Sequence, residues 1–189
     1  MNKRTPNPRA GFFLSLVAAG VFLLGAALIP LLLKGQAVAL GSAANTLAPS
    51  TAHYAAPSLA LTDLQGNPAS LDDYLGQVVL VNNWATWCPP CKAEMPEIQA
   101  YYEAHAGDGF SVIAIESGEP AADVAAFVEQ YGLTFVVWLD PQGAALEAFQ
   151  NFNLPSTYII DRDGIVRMAW TGQINLETLE EYVTPLLER

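Results

Sequence analysis

The feature that most constrains this chain is the segment Trp84-Ala85-Thr86-Trp87-Cys88-Pro89-Pro90-Cys91, which holds both of its cysteines. The apolar run before it, Val78-Val79-Leu80-Val81, reads as a buried strand, and the stretch from Lys92 to about His105 reads as a helix. Cys88 then falls where a strand ends and a helix begins. The unpaired N–H groups and the dipole of a helix N-terminus stabilise a thiolate at such a point. A Cys-x-x-Cys pair there can close and reopen a disulfide across one helical turn, which points to redox chemistry.

Three other uses of the pair compete less well. As a structural staple it closes too short a loop to remove much chain entropy. As half of a zinc site it needs two more ligands, and only His53 and His105 are on offer, without ligand spacing. As a haem attachment site it needs a histidine where Lys92 stands.

The 189 residues allow one ordinary domain with an appendage, and the appendage is at the front. Lys3, Arg4 and Arg9 precede residues 11–33, a run without a charged side chain. As a helix this run is roughly 34 Å long, enough to cross a bilayer core. The basic flank, residues 1–10, places the N-terminus in the cytoplasm and the rest of the chain outside it. A cleaved signal peptide is the rival, with Ala37-Val38-Ala39 as its small-residue site, but its apolar core is expected to be shorter. Residues 34–57, rich in Ala, Ser, Gly, Pro and Thr, read as a flexible tether, leaving 58–189 as the folded domain. That domain carries all 19 acidic residues and only four of the eight basic ones, Lys92, Arg162, Arg167 and Arg189. So negative a surface excludes nucleic acid as a partner.

Within the domain, Ser58 to Thr62 is a short strand, followed by a turn at Gln65-Gly66-Asn67-Pro68 and a helical turn capped by Ser70. The helix after Cys91 carries Pro96 in its interior, and Glu94, Glu97 and Glu103 are expected on solvated faces. Phe110 to Ile115 is a buried strand, Ala121 to Tyr131 an amphipathic helix ending at Gly132, Phe135 to Leu139 a strand, and Gly143 to Phe149 a helix. Two further strands flank the Arg162-Asp163-Gly164 turn, and Asn175 to Leu187 reads as one closing helix with Asn175 as its cap. The order predicts an α/β fold, a mixed sheet flanked by helices.

The segment Val81 to Lys92 resembles the active site of the thioredoxin superfamily, and more narrowly that of the membrane-anchored TlpA/ResA/DsbE-like thiol–disulfide oxidoreductases. The likeness runs from about Leu59 to the C-terminus. It implies a thioredoxin-like fold in which the helix and strand between about Glu119 and Leu139 are an extra αβ insertion. It also implies a cis-proline at Pro155, beside the disulfide, that presents the backbone of Leu154 to substrate. Trp87, Pro89 and Pro90 are then expected to line the substrate groove, with Trp84 as packing. Cys88 would attack a partner's disulfide and Cys91 would resolve the mixed disulfide.

A buried acid is expected near Cys91, which must lose a proton. Many thioredoxins carry an Asp where this chain has Asn82. In the ResA-like branch a Gly-Glu motif takes the role, and Gly118-Glu119 matches it, which makes Glu119 the candidate and Glu116 the reserve. The resemblance implies no cofactor, a disulfide-containing protein substrate such as apocytochrome c, and a membrane thiol as electron donor. The expected location is the cell membrane, single-pass, with the catalytic domain extracytoplasmic. Two other classes fit less well. A thiol peroxidase needs a Thr three residues before its cysteine, where Ala85 stands; a copper chaperone of the Sco type has three residues between its cysteines and a distal His.

Overall fold

The computed structural model describes residues 48–188. The basic segment 1–10, the proposed anchor 11–33 and the first part of the tether lie outside the described residues. Among the described residues no helix is long and apolar enough to cross a membrane.

Among the described residues, eight strands form one mixed sheet. They are β1 (Ser50–Ala55), β2 (Ala60–Asp63), β3 (Pro68–Ser70), β4 (Val78–Trp84), β5 (Phe110–Glu116), β6 (Val136–Leu139), β7 (Ser156–Ile160) and β8 (Ile165–Thr171), in the spatial order β1-β8-β7-β4-β5-β6-β2-β3. The helices are α1 (Pro89–His105), α2 (Ala121–Tyr131), α3 (Ala144–Ala148), α4 (Leu176–Tyr182) and α5 (Thr184–Leu187). β4, β5 and β6 are parallel, joined by helical crossovers; every other pairing is antiparallel. The α2–β6 unit is the insertion expected from the sequence.

β4 is buried along its whole length, so its pleat feeds two cores. Val78, Leu80 and Trp84 face one core with Met95, Ile98 and Tyr101 of α1 and Phe127 of α2. Val79 and Val81 face the other with Ile113, Trp138, Phe149 and Tyr158. Local chemistry sets the ends of several elements as expected. Ser70 caps a single 3-10 turn (Leu71–Tyr74), Gly132 ends α2 in the left-handed conformation at φ 62°, and the Asn175 side chain accepts from the Thr178 amide.

Three expectations are corrected. The tether does not extend to residue 57: Ser50–Ala55 pairs with β8 as an edge strand, largely exposed, so backbone pairing rather than apolar burial places it. The C-terminal helix is two, because Pro185 cannot donate within a continuous helix and sits instead in the first turn of α5. Glu94 is not on a solvated face but fully buried, and Glu97 is half-buried, accepting from the Leu176 amide.

Asp140 fixes α3 from the loop after β6. Its buried carboxylate accepts from the Ala144 amide at 2.9 Å and the Ala145 amide at 2.8 Å. Asp140→Ala leaves those amides without their acceptor and should lower stability by about 1–3 kcal/mol, measured by urea unfolding, with Asp140→Asn losing less.

Candidate active site

α1 begins at Pro89 because proline is suited to a first helical turn, where its missing N–H has no intrahelical partner anyway. That makes Cys88 the N-cap, and its Sγ accepts from the Cys91 amide at 3.3 Å. Cys88 and Cys91 are joined as a disulfide. Cys88 is 3 % exposed and Cys91 wholly buried, so one sulfur borders the surface and the other lies a turn inside. Pro89 and Pro90 offer no amide, and the Lys92 amide donates to the Cys88 carbonyl at 3.1 Å. The Cys91 amide is therefore the donor left to a charge on Cys88.

The Leu154–Pro155 peptide is cis, as the resemblance implies. Pro155 is buried, its carbonyl accepting from the Gly172 amide, while Leu154 is half-buried at the rim of a groove. That groove, about 550 Å³, brings together Trp87, Cys88, Pro89, Pro90 and Leu154. It also includes Phe152, which the sequence reading missed. Phe152 is 73 % exposed and Trp87 65 %, the two most exposed large apolar side chains among the described residues. No local signal distinguishes Phe152 from an ordinary loop residue; only the fold carries it to the cysteines. Trp84, by contrast, is wholly buried packing.

The acids divide differently from expectation. The Glu119 carboxylate accepts from the Thr86 amide at 2.6 Å and from the Thr86 hydroxyl. Burial pushes its pKa up, but the Thr86 hydrogen bonds outweigh this and hold it below the ordinary carboxylate value. Glu116 is buried at the end of β5, its pKa raised to about 7 mainly by burial. Glu94 is the acid the sequence reading did not select. It lies three residues beyond Cys91 on the buried face of α1, which is the one signal that could have found it. Its carboxylate accepts from Asn82 Nδ2 at 2.8 Å and from the Ile174 amide at 3.0 Å. Desolvation dominates these hydrogen bonds and pushes its pKa up to about 8.

A buried Cys-x-x-Cys disulfide at a strand–helix junction, with a cis-proline beside its groove, defines a thioredoxin-like thiol–disulfide oxidoreductase. Comparison with known proteins agrees. A family model described as the AhpC/TSA family matches residues 52–169, and the chain belongs to that family. The thiol-disulfide oxidoreductase ResA of Geobacillus kaustophilus is 39% identical over 128 residues, 68% of this chain and 74% of the relative. The ResA of Bacillus anthracis is 37% identical over the same shares. Among solved structures, a thiol:disulfide interchange protein DsbE from Chlorobium tepidum superposes with a TM-score of 0.67 at 28% identity, covering 72% of this chain and 97% of that one. A thioredoxin from Neisseria meningitidis gives 0.65 at 30% identity, over 71% and 90%.

The Glu94 environment makes a signed prediction. An unfolded Glu titrates near 4.5 and the folded one near 8, so between these values the folded state holds a proton that the unfolded state releases. The stability that this group contributes is fully present below the unfolded pKa and is lost as pH rises through the folded one. Unfolding measured from pH 5 to 8 should show stability falling by up to about 1.4 kcal/mol per pH unit from this group. Glu94→Gln should flatten the slope, leaving a residual decline of the same sign from Glu116.

Proposed function

We propose that this chain is a membrane-tethered, extracytoplasmic reductase of protein disulfides. Residues 11–33 serve as a retained anchor and residues 1–10 as its cytoplasmic flank; the uncharged length of the first and the basic charge of the second support this. The observation that carries the reductase assignment is the poverty of donors around Cys88 Sγ, to which, among the described residues, only the Cys91 amide is directed.

In the reaction, the Cys88 thiolate attacks one sulfur of a partner's disulfide. The partner's S–S bond breaks, its other sulfur leaves as a thiolate and takes a proton, and Cys88 is joined to the partner. Cys91 then loses its proton and attacks Cys88 Sγ. This releases the partner's second thiolate and closes the Cys88–Cys91 disulfide, so two electrons pass from the dithiol to the partner. Glu94 is the group we assign to take the Cys91 proton. Burial raises its pKa to about 8, which gives this carboxylate a greater affinity for a proton than an ordinary one has. A pair of thiols on a membrane partner returns the protein to its reduced form, becoming a disulfide as the Cys88–Cys91 bond is broken and both cysteines are left as thiols.

The substrate lies in the groove beside Cys88, extended along Leu154, with an apolar side chain between Trp87 and Phe152. Apocytochrome c, whose reduced cysteines are needed for haem attachment, is the substrate we favour, in keeping with the resemblance to ResA and DsbE-like proteins. A peroxidase is disfavoured by Ala85 standing three residues before Cys88 and by the Thr86 hydroxyl bonding Glu119.

Two measurements test this reading. Cys91→Ala should accumulate a covalent adduct with its partner, identified by mass spectrometry, whereas Cys88→Ala should not. Equilibration with glutathione should give a potential near or below about −270 mV, the reducing end of the dithiol range; a value near −120 mV would make the protein an oxidant.

A further inference from the structure

Glu116 is a buried acid that the exchange reaction does not use. It ends β5 opposite Trp84 of β4, wholly buried, and none of the ion pairs among the described residues includes it. Burying a carboxyl without a cation is costly, and such a group persists where its hydrogen bonds hold something in place. Both Glu116 oxygens accept from the Glu119 amide, at 3.2 and 3.0 Å. The Glu119 carboxylate reaches the other way, onto both donors of Thr86. Thr86 in turn sits inside the turn that delivers Cys88, closed by the Cys88 amide donating to the Ala85 carbonyl at 3.2 Å. A parallel tie runs from the Ser117 amide to the Trp84 carbonyl at 3.0 Å. The hydrogen bonds thus run from the end of β5 to the turn that carries Cys88.

We infer that Glu116 and Glu119 are positioning residues: an interlocked pair of carboxyl groups that fastens the Ala85–Trp87 turn to the β5–α2 loop and thereby sets the reactivity of Cys88. The inference rests on the reading of Cys88 as the attacking thiol. Its physical basis is that a single amide, that of Cys91, faces Cys88 Sγ. With one donor, the stabilisation of a thiolate depends on how steadily Cys88 is held against it. The division of labour within the pair follows from its surroundings. Burial raises the Glu116 pKa to about 7, while the Thr86 donors hold Glu119 below the ordinary carboxylate value. The charged groups facing the pair are the two acids themselves and Lys92 of α1, which favours the Glu119 charge. Asp140, at the neighbouring strand end, has its carboxylate on the α3 amides instead.

The test is the alkylation rate of Cys88 in the reduced full-length protein in detergent, followed against pH by mass spectrometry. Thr86→Val removes one donor and leaves the charge. Glu119→Asp keeps the charge on a side chain too short to reach both donors. Each should slow Cys88 alkylation at pH 7 by about threefold or more and raise the apparent thiol pKa by roughly half a unit or more. The double variant should be no slower than the slower single one, because the two changes break the same interaction. Parental alkylation in Glu119→Asp overturns the proposal, since the charge would then act without position, and so do additive effects in the double variant. Glu116→Gln should act in the same direction. If it does not fold, the two surface-side variants decide the matter alone. No substrate enters this measurement. A failure of the proposed reductase function would instead appear as parental thiol reactivity with no reduction of a protein disulfide.

Discussion

The chemistry depends on one junction, where β4 stops and α1 starts. β4 can deliver Cys88 to a fixed place because it is buried on both faces and paired on both edges, to β5 in parallel and to β7 antiparallel. The same strand ladder brings in the other half of the site: Asn83 pairs with Ser156, the residue after Pro155, so the cis-proline lies beside the cysteines through sheet register and not through any local preference. The helix contributes direction. Its first amides point at whatever occupies the cap, and the two prolines that start it remove donors while fixing the backbone for the turn. The cysteine pair thus gains a well-defined position, with the Cys91 amide directed at Cys88 Sγ.

Much of this was legible in the residues because the signals were local. A capping side chain, a glycine after a helix and an Asp-Gly turn each act within a few residues, and Ser70, Asn175, Gly132 and Gly164 all stand where such rules place them. What stayed hidden was decided across the chain. β1 has no alternating apolar pattern, since it is held at an edge by its ladder with β8. Glu94 looks like any charged helix residue until the Ile174 amide, 80 positions away, is seen to meet it. Phe152 gains its meaning from a groove whose other side, Trp87, is distant in sequence. Pro185 is a different case: its effect is local, and the break before α5 follows from proline's missing N–H alone.

The acids explain why Asn82 is not an acid. Asn82 is buried in the strand beneath the helix, donating through Nδ2 both to Glu94 and to the Thr157 hydroxyl at 2.9 Å. An Asp in its place would set a second carboxylate at hydrogen-bond distance from Glu94, with no donor between them. Two such groups cannot both ionise, and their titrations would merge into shared steps. A neutral donor leaves Glu94 as a single site whose proton affinity is governed by its own burial, moderated by Asn82 and the Ile174 amide. The ionisable group has in effect moved from the strand to the helix that also carries Cys91. Glu119, held ionised by Thr86, is poorly suited to the same exchange, because a carboxylate below its ordinary pKa has little affinity for a thiol's proton. Burial and hydrogen bonding thus set three nearby carboxyl groups apart: Glu94 and Glu116 are buried with raised pKa values, and Glu119 is held below its ordinary value by the Thr86 donors.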